Sequence, residues 1–339
     1  MHAIHRTSIL IAVGLALGLF ASVASGQARQ GRPPSEANHF IGTPAGWVHP
    51  KTPWGDPDLQ GTWPLSYVGN VALERCAGAG RGGAAPCDPN KAFRTEEEYK
   101  AALAAAAKQV DRYAENVKQG EAGRAFLTGL LDATVPQRQT SLIVDPPNGR
   151  LPEMTAEGKG LSALMKSSWP LPGETPVWDS YTDFDTWDRC ITRGMPASMF
   201  PFRYNNGVQI LQTPGYVIIN LEMIHDSRIV PVNGLPPLSG AIKQWMGVSR
   251  GRWEGNTLIV ETTNFKPGAS AVNIGTVGAP PGNRFPTSEQ MRITERITRL
   301  NHDFLLYQIT TEDPVVLTRP WTARFPLKLD NEFKISEMF

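Results

Sequence analysis

Apolar and polar residues alternate along much of the second half of the chain. Runs rich in Val, Ile, Thr, Tyr and Phe predict strands over residues 207–212, 216–230, 257–265, 291–300 and 304–311. Short turns, such as Pro214-Gly215 and Glu254-Gly255-Asn256, separate the runs. The pattern predicts an antiparallel meander that either closes as a barrel resembling lipocalins and calycins or packs as a β-sandwich.

Helical patterns fall earlier in the chain. Thr95-Glu96-Glu97-Glu98 is a capping box, and the Ala-rich stretch that follows it to Val117 predicts a helix. Shorter helices are expected over 122–131 and from Thr155 onward. We therefore expect an α+β protein that is mainly β, with an irregular lead-in at 27–52, a helical and loop region at 53–169, and an antiparallel β domain at 170–339.

The first 26 residues have the pattern of a cleavable signal peptide. A basic start at His5 and Arg6 precedes an apolar run over 9–20 and a small-residue cleavage site at Ala24-Ser25-Gly26. The run is short for a membrane anchor, which is the alternative. The pattern predicts a periplasmic or secreted protein with no membrane span after cleavage.

The charge balance argues against a polyanionic partner. Lys and Arg number 33 against 32 Asp and Glu, which gives no electrostatic reason to expect nucleic acid or acidic membrane binding. A glycine-rich phosphate loop, a Gly-x-Ser-x-Gly elbow and a His-Glu-x-x-His motif are all missing from the sequence. The sequence predicts no cofactor, and the histidines after residue 26 are too dispersed to predict a metal site.

The predicted strand over residues 217–229 carries most of the candidate chemistry. In a regular strand, alternate residues share a face. Four apolar residues then lie on one face, namely Val217, Ile219, Leu221 and Met223, and four polar ones lie on the other, namely Asn220, Glu222, Asp226 and Arg228. The polar face lines a small-molecule pocket or is simply exposed to solvent.

His225 interrupts this strand beside Asp226. A β-bulge would bring the two side chains together, and a buried imidazole next to a carboxylate suits acid/base catalysis. The alternative is a structural histidine. We assign His225, Asp226 and Glu222 as catalytic candidates and Arg228 and Asn220 as substrate-binding candidates.

Further charged residues are candidates for the same pocket. The segment 183–190 mixes three carboxylates with Arg189, and Asp185 and Arg189 are its substrate-binding candidates, unless the loop is only an ion-paired connector. Glu261 and Glu295 each lie on a largely apolar strand face, where a carboxylate is costly unless it is paired. Pairing of these two with Arg228, Arg296 or Arg299 is the structural explanation.

Three cysteines in an exported chain favour a disulfide. Cys76 and Cys87 flank a Gly/Ala-rich loop and are predicted to pair. Cys190 then remains as a buried small apolar residue or as half of a further bridge.

Several motifs together resemble a large family of exported bacterial proteins. They lie at residues 54–63 (with PDLQGTW), 141–150, 189–194 (RCITRG), 209–231 (with EMIHDSR), 249–257 (SRGRWEGNT) and 319–323 (RPWTA). The resemblance implies no particular activity. It does imply that a Cys-His-Glu-Gly-Asn motif would follow the RPWT segment. This chain ends at Phe339, where that cysteine, a candidate partner for Cys190, would fall.

Two hypotheses for function follow from these residues. The first is a cofactor-independent acid/base enzyme, a hydrolase, lyase or isomerase that acts on a small organic molecule in a polar pocket. The second is a lipocalin-type binding protein in which the charges only orient an apolar ligand.

Overall fold

The chain is built mainly from antiparallel strands. A computed structural model gives its structure and describes residues 41–76, 88–118, 136–167, 173–202, 204–268, 284–333 and 335, without the side chains of 109–118. The strands in these ranges are β1 (Gly61–Thr62), β2 (Ile143–Asp145), β3 (Val208–Thr213), β4 (Tyr216–Leu221), β5 (Ser227–Pro231), β6 (Val248–Glu254), β7 (Thr257–Thr263), β8 (Arg292–Arg299), β9 (Phe304–Glu312) and β10 (Trp321–Lys328).

The strands form two sheets. A four-stranded sheet has the order β1-β3-β4-β5, and a six-stranded sheet has the order β2-β10-β9-β8-β7-β6. All the neighbouring strands pair antiparallel. The prediction of a mainly β, antiparallel protein is confirmed. Neither sheet closes on itself within the described residues, so the predicted barrel is not confirmed.

One apolar core is shared by the two sheets. The alternation in β8 buries Ile293 and Ile297 and turns Arg292 outward. These buried side chains belong to the same cluster as inward residues of the smaller sheet, such as Val217 and Ile219. Each fully buried side chain of this kind stabilises the fold by about 1.5–3 kcal/mol.

Two α-helices of the described residues precede most of the strands. Helix α1 spans Glu96–Lys118 and helix α2 spans Ala156–Leu164. The predicted capping box begins α1, because Thr95 N–H donates to Glu98 at 2.8 Å and Glu98 N–H donates to Thr95 Oγ1 at 3.3 Å. The helix expected over residues 122–131 lies outside the described residues, and the predicted helical N-terminal region as a whole is not confirmed. None of the helices in the described ranges is long and apolar enough to span a membrane.

Candidate functional site

The segment predicted as one strand over 217–229 is a hairpin. Strand β4 ends at Leu221, β5 begins at Ser227, and between them Ile224 and His225 adopt positive φ angles of 61° and 51°. The hairpin places Arg228 directly opposite Ile219. Directly opposed residues of antiparallel strands share a face, so Arg228 points into the core with Ile219. The prediction that Arg228 shares a face with Asn220 is wrong.

Arg228 is held there by a buried cluster that joins the two sheets. Its Nη1 donates to Oε1 of Glu295 at 2.9 Å, and its Nη2 donates to Oε2 of the same carboxylate. Nη2 also contacts the hydroxyls of Ser249 and Thr262 at 3.3 Å each. Tyr307 donates its hydroxyl proton to Glu295 at 2.7 Å. The predicted pairing of Glu295 is confirmed, and Arg228 is its partner.

The electrostatics of this cluster are those of an internal ion pair. Burial lowers the pKa of Arg228, but Glu295, Tyr307 and Asp226 together outweigh that effect, with Glu295 contributing most, and the net pKa is raised. Burial, and then the negative charge of Glu295, raise the pKa of Tyr307 well above its usual value. Arg228 is only 4% exposed and Glu295 is 0% exposed. The guanidinium of Arg228 is therefore closed to solvent and matched by a carboxylate, and its role in substrate binding stays a prediction that these contacts do not support.

The three catalytic candidates occupy the hairpin turn in different environments. Glu222 is buried, and its Oε2 accepts a hydrogen bond from Gly207 N–H at 2.8 Å, which ties the turn to the start of β3. His225 is exposed, so the predicted buried imidazole is wrong. Asp226 is half-buried, and burial raises its pKa against the opposing effects of Arg228 and the Ser227 N–H. Its position suits a structural carboxyl group at least as well as a catalytic one.

The remaining predicted residues lie in other parts of the molecule. Asn220 accepts a hydrogen bond from the Ser227 hydroxyl at 2.8 Å on the outer face of the hairpin. Glu261 is exposed on the six-stranded sheet and pairs with Arg252 at 3.0 Å. Because Arg228 faces the core and Glu261 faces solvent from the other sheet, the structure does not bring these residues into one pocket.

The loop over 183–190 is organised by its own carboxylates. Asp185 is buried and accepts hydrogen bonds from Trp187 N–H at 2.9 Å, Asp188 N–H at 2.8 Å and the Ser167 hydroxyl at 3.0 Å. Arg189 Nε donates to the Asp185 carbonyl at 3.3 Å. These contacts fit the alternative that the loop is a bonded connector.

The cysteine predictions have different outcomes. Cys87 lies outside the described residues, so its disulfide with Cys76 stays a prediction. Cys190 carries a free thiol and is exposed, so the prediction that it is a buried apolar residue is wrong.

A cleft of about 300 Å³ lies at one end of the six-stranded sheet. This volume is at the lower end of the range for small-molecule sites. Its walls come from α2, from the loops next to β7 and β8, and from the β9–β10 connection. The lining residues are Glu157, Leu161, Met165, Pro267, Gly268, Pro286, Thr287, Ser288, Glu289, Gln290 and Val315.

The start of α2 is fixed against the β9–β10 connection. Thr155 caps the helix by accepting a hydrogen bond from Gly158 N–H at 2.9 Å, and its own N–H donates to the Val316 carbonyl at 3.0 Å. A Cβ atom at Gly158 would come within 2.4 Å of that carbonyl oxygen. Only glycine allows so close an approach, which sets Glu157 and Leu161 against the cleft.

A buried carboxylate fixes the opposite wall. Asp313 is 3% exposed and accepts hydrogen bonds from Ser288 N–H at 2.9 Å, the Ser288 hydroxyl at 2.7 Å and Val316 N–H at 3.2 Å. The loop before β8 is thereby joined to the segment that holds α2. The Gly268 N–H donates to the Thr287 carbonyl at 3.3 Å, which attaches the remaining wall, the segment after β7, to the loop before β8. The cleft is therefore preformed by contacts within the fold.

No sequence pattern predicts this cleft. Its residues come from four separate segments, and none of the segments carries a motif. The local sequence signals in these segments were the helix cap at Thr155 and Gly158 in the first turn of α2. Both indicate the geometry of a helix and neither indicates a binding site. The part of the chain that the structure describes contains no group of three or more His, Cys, Asp or Glu side chains placed to hold a metal ion.

Comparisons with known proteins add no assignment. No family model, no curated protein and no solved structure matches the chain. The resemblance to an exported bacterial family therefore stays a prediction.

Proposed function

We propose that this is an exported protein that binds a small organic molecule, and that the cleft beside α2 is its binding site. The observation that carries the proposal is the construction of the cleft. Apolar side chains of Leu161, Met165 and Val315 line it together with polar groups of Ser288 and Gln290, and the walls are tied to one another. A preformed, largely apolar concavity with a few polar groups is typical of ligand sites.

The proposed site differs in place from that of a lipocalin-type carrier. Such a protein holds its ligand inside a barrel, whereas buried apolar side chains and the Arg228 cluster occupy the inner faces of the two sheets here. The ligand is instead expected at the end of the larger sheet.

The acid/base enzyme hypothesis has less support. It requires His225, Glu222 and Arg228 to face one substrate, but Arg228 is paired with Glu295 in the core and His225 is exposed at the turn. A binding protein requires none of these three groups to converge.

Blocking the cleft tests the proposal. Leu161→Trp adds a bulky ring to a lining residue on the exposed side of α2, and we expect it to abolish binding of fragment-sized ligands detected by saturation-transfer NMR. Leu164→Trp is the matched control, because Leu164 lies on the same helix, is 80% exposed and does not line the cleft. Equal binding by both variants and the unchanged protein would refute the site.

Export is tested separately. Residues 1–26 fused to a reporter that is active only outside the cytoplasm should direct it there, because the segment has the signal-peptide pattern. A reporter that stays cytoplasmic contradicts export and leaves the binding site untouched.

A further inference from the structure

The ionisable residues that line the cleft are all acidic. Glu157 and Glu289 are in the lining, and among the described lining residues there is no Lys, Arg or His. Resting on the proposed function, we infer that the cleft selects small organic cations: the apolar body lies against Leu161, Met165 and Val315, and an ammonium group lies near the two carboxylates.

A third carboxylate stands behind the wall. Asp313 contacts the cleft through Ser288, which is a lining residue, and its hydrogen-bond donors are two backbone N–H groups and a hydroxyl. These donors are neutral, so none of them supplies a compensating positive charge. In the low-dielectric surroundings of a buried residue, this negative charge acts on the adjoining space more strongly than it would in water.

Several cationic side chains adjoin the cleft, and not every acid of the lining pairs with one of them. Lys243 is 3.4 Å from Glu289, Lys266 lies 4.4 Å from the centre of the Trp245 ring, and Arg284 is 2.6 Å from Glu174. Among the described residues, Glu157 has no ion-pair partner. A cationic ligand would therefore meet at least one unpaired carboxylate at the surface of the cleft and the Asp313 charge behind it.

The shape and donor set favour an organic cation over a metal ion. A space of about 300 Å³ walled by aliphatic side chains suits a compact body such as a single ring. Met165 adds a flexible, polarizable thioether that adapts to such a body. The acidic side chains of the described residues do not assemble into a group of three that would coordinate a metal.

Three ligands that share a benzene ring test the inference. Dissociation constants of benzylamine, benzyl alcohol and benzoate are measured by NMR titration at neutral pH on four proteins: the unchanged chain, Glu157→Gln/Glu289→Gln, Leu161→Trp and the control Glu153→Gln. Glu153 is an exposed acid outside the lining, so its substitution changes the net charge without changing the cleft.

We expect benzylamine to bind the unchanged protein roughly five- to tenfold more tightly than benzyl alcohol. This ratio corresponds to the summed free energies of two exposed ion pairs between the ammonium group and the carboxylates. The double Gln variant should bring the amine to the level of the alcohol, Glu153→Gln should not, and Leu161→Trp should remove both ligands. Equal affinities of the three ligands with loss of all of them in Leu161→Trp would overturn cation selection while the proposed binding site stands. If none of the three ligands binds the unchanged protein, the result counts against both the proposed binding site and cation selection.

Discussion

The hairpin of β4 and β5 and the cleft beside α2 both concentrate acidic side chains, but the fold uses them differently. Near the hairpin, Glu222 accepts the Gly207 N–H, and Glu295 is matched by Arg228 in the core. Around the cleft, Glu157 is exposed in the lining, and the hydrogen bonds to the Asp313 side chain come from neutral donors. An acid near a cluster of charges is therefore evidence for a site only where the fold leaves its charge available.

The largest effect should come from breaking the buried ion pair. Glu295→Ala leaves the Arg228 guanidinium buried and uncompensated, and we expect the free energy of unfolding to fall by about 3–5 kcal/mol. Urea denaturation followed by fluorescence measures it. If the cluster is structural, the double variant Arg228→Met/Glu295→Leu should recover most of the loss, because two apolar side chains of suitable volume replace a matched pair of charges.

The next effect concerns the wall of the cleft. Gly158→Ala places a Cβ atom within 2.4 Å of the Val316 carbonyl oxygen, a backbone atom, and should destabilise the protein by about 1–3 kcal/mol. Gly160→Ala is the matched control in the same helix, since a Cβ atom there would have nothing within 4 Å, and it should stabilise by about 0.5–1 kcal/mol. Equal denaturation midpoints for the two variants would show that α2 is not pressed onto this connection.

The smallest effect is a pH dependence at the hairpin. Burial raises the pKa of Asp226 in the folded protein, so the folded state binds its proton more tightly than the unfolded chain does. That contribution to stability is present in acid and is lost as the pH rises through the folded pKa. Asp226→Asn should therefore be more stable than the unchanged protein at neutral pH, by less than about 1 kcal/mol, and the difference should vanish in acid. A difference that grows in acid would contradict the direction of the shift.

Regular elements with clear local signals could be predicted from the sequence. Alternation indicated the strands that became β7, β8 and β9, and the capping residues Thr95 and Thr155 marked the starts of α1 and α2. The cost of a lone carboxylate in an apolar face was also enough to predict that Glu295 is paired. These predictions rest on physics that acts within a few residues or on one buried charge.

The candidate site could not be predicted, for two physical reasons. The run over 217–229 has no glycine or proline to mark a turn, yet Ile224 and His225 take positive φ angles there, which changes the face to which Arg228 belongs. The cleft combines segments more than 150 residues apart in the chain, such as Glu157 and Val315. Their proximity follows from strand pairing and from the Asp313 contacts, which no local pattern records.

The most direct test of the proposed cleft is a titration with benzylamine followed in ¹H–¹⁵N NMR spectra of the assigned protein. We expect saturable shifts of the amide signals of Leu161, Ser288, Glu289 and Gln290, with those of His225 and Ser227 unchanged. Shifts confined to the β4–β5 hairpin would contradict the cleft as the binding site and return the site to the residues around His225.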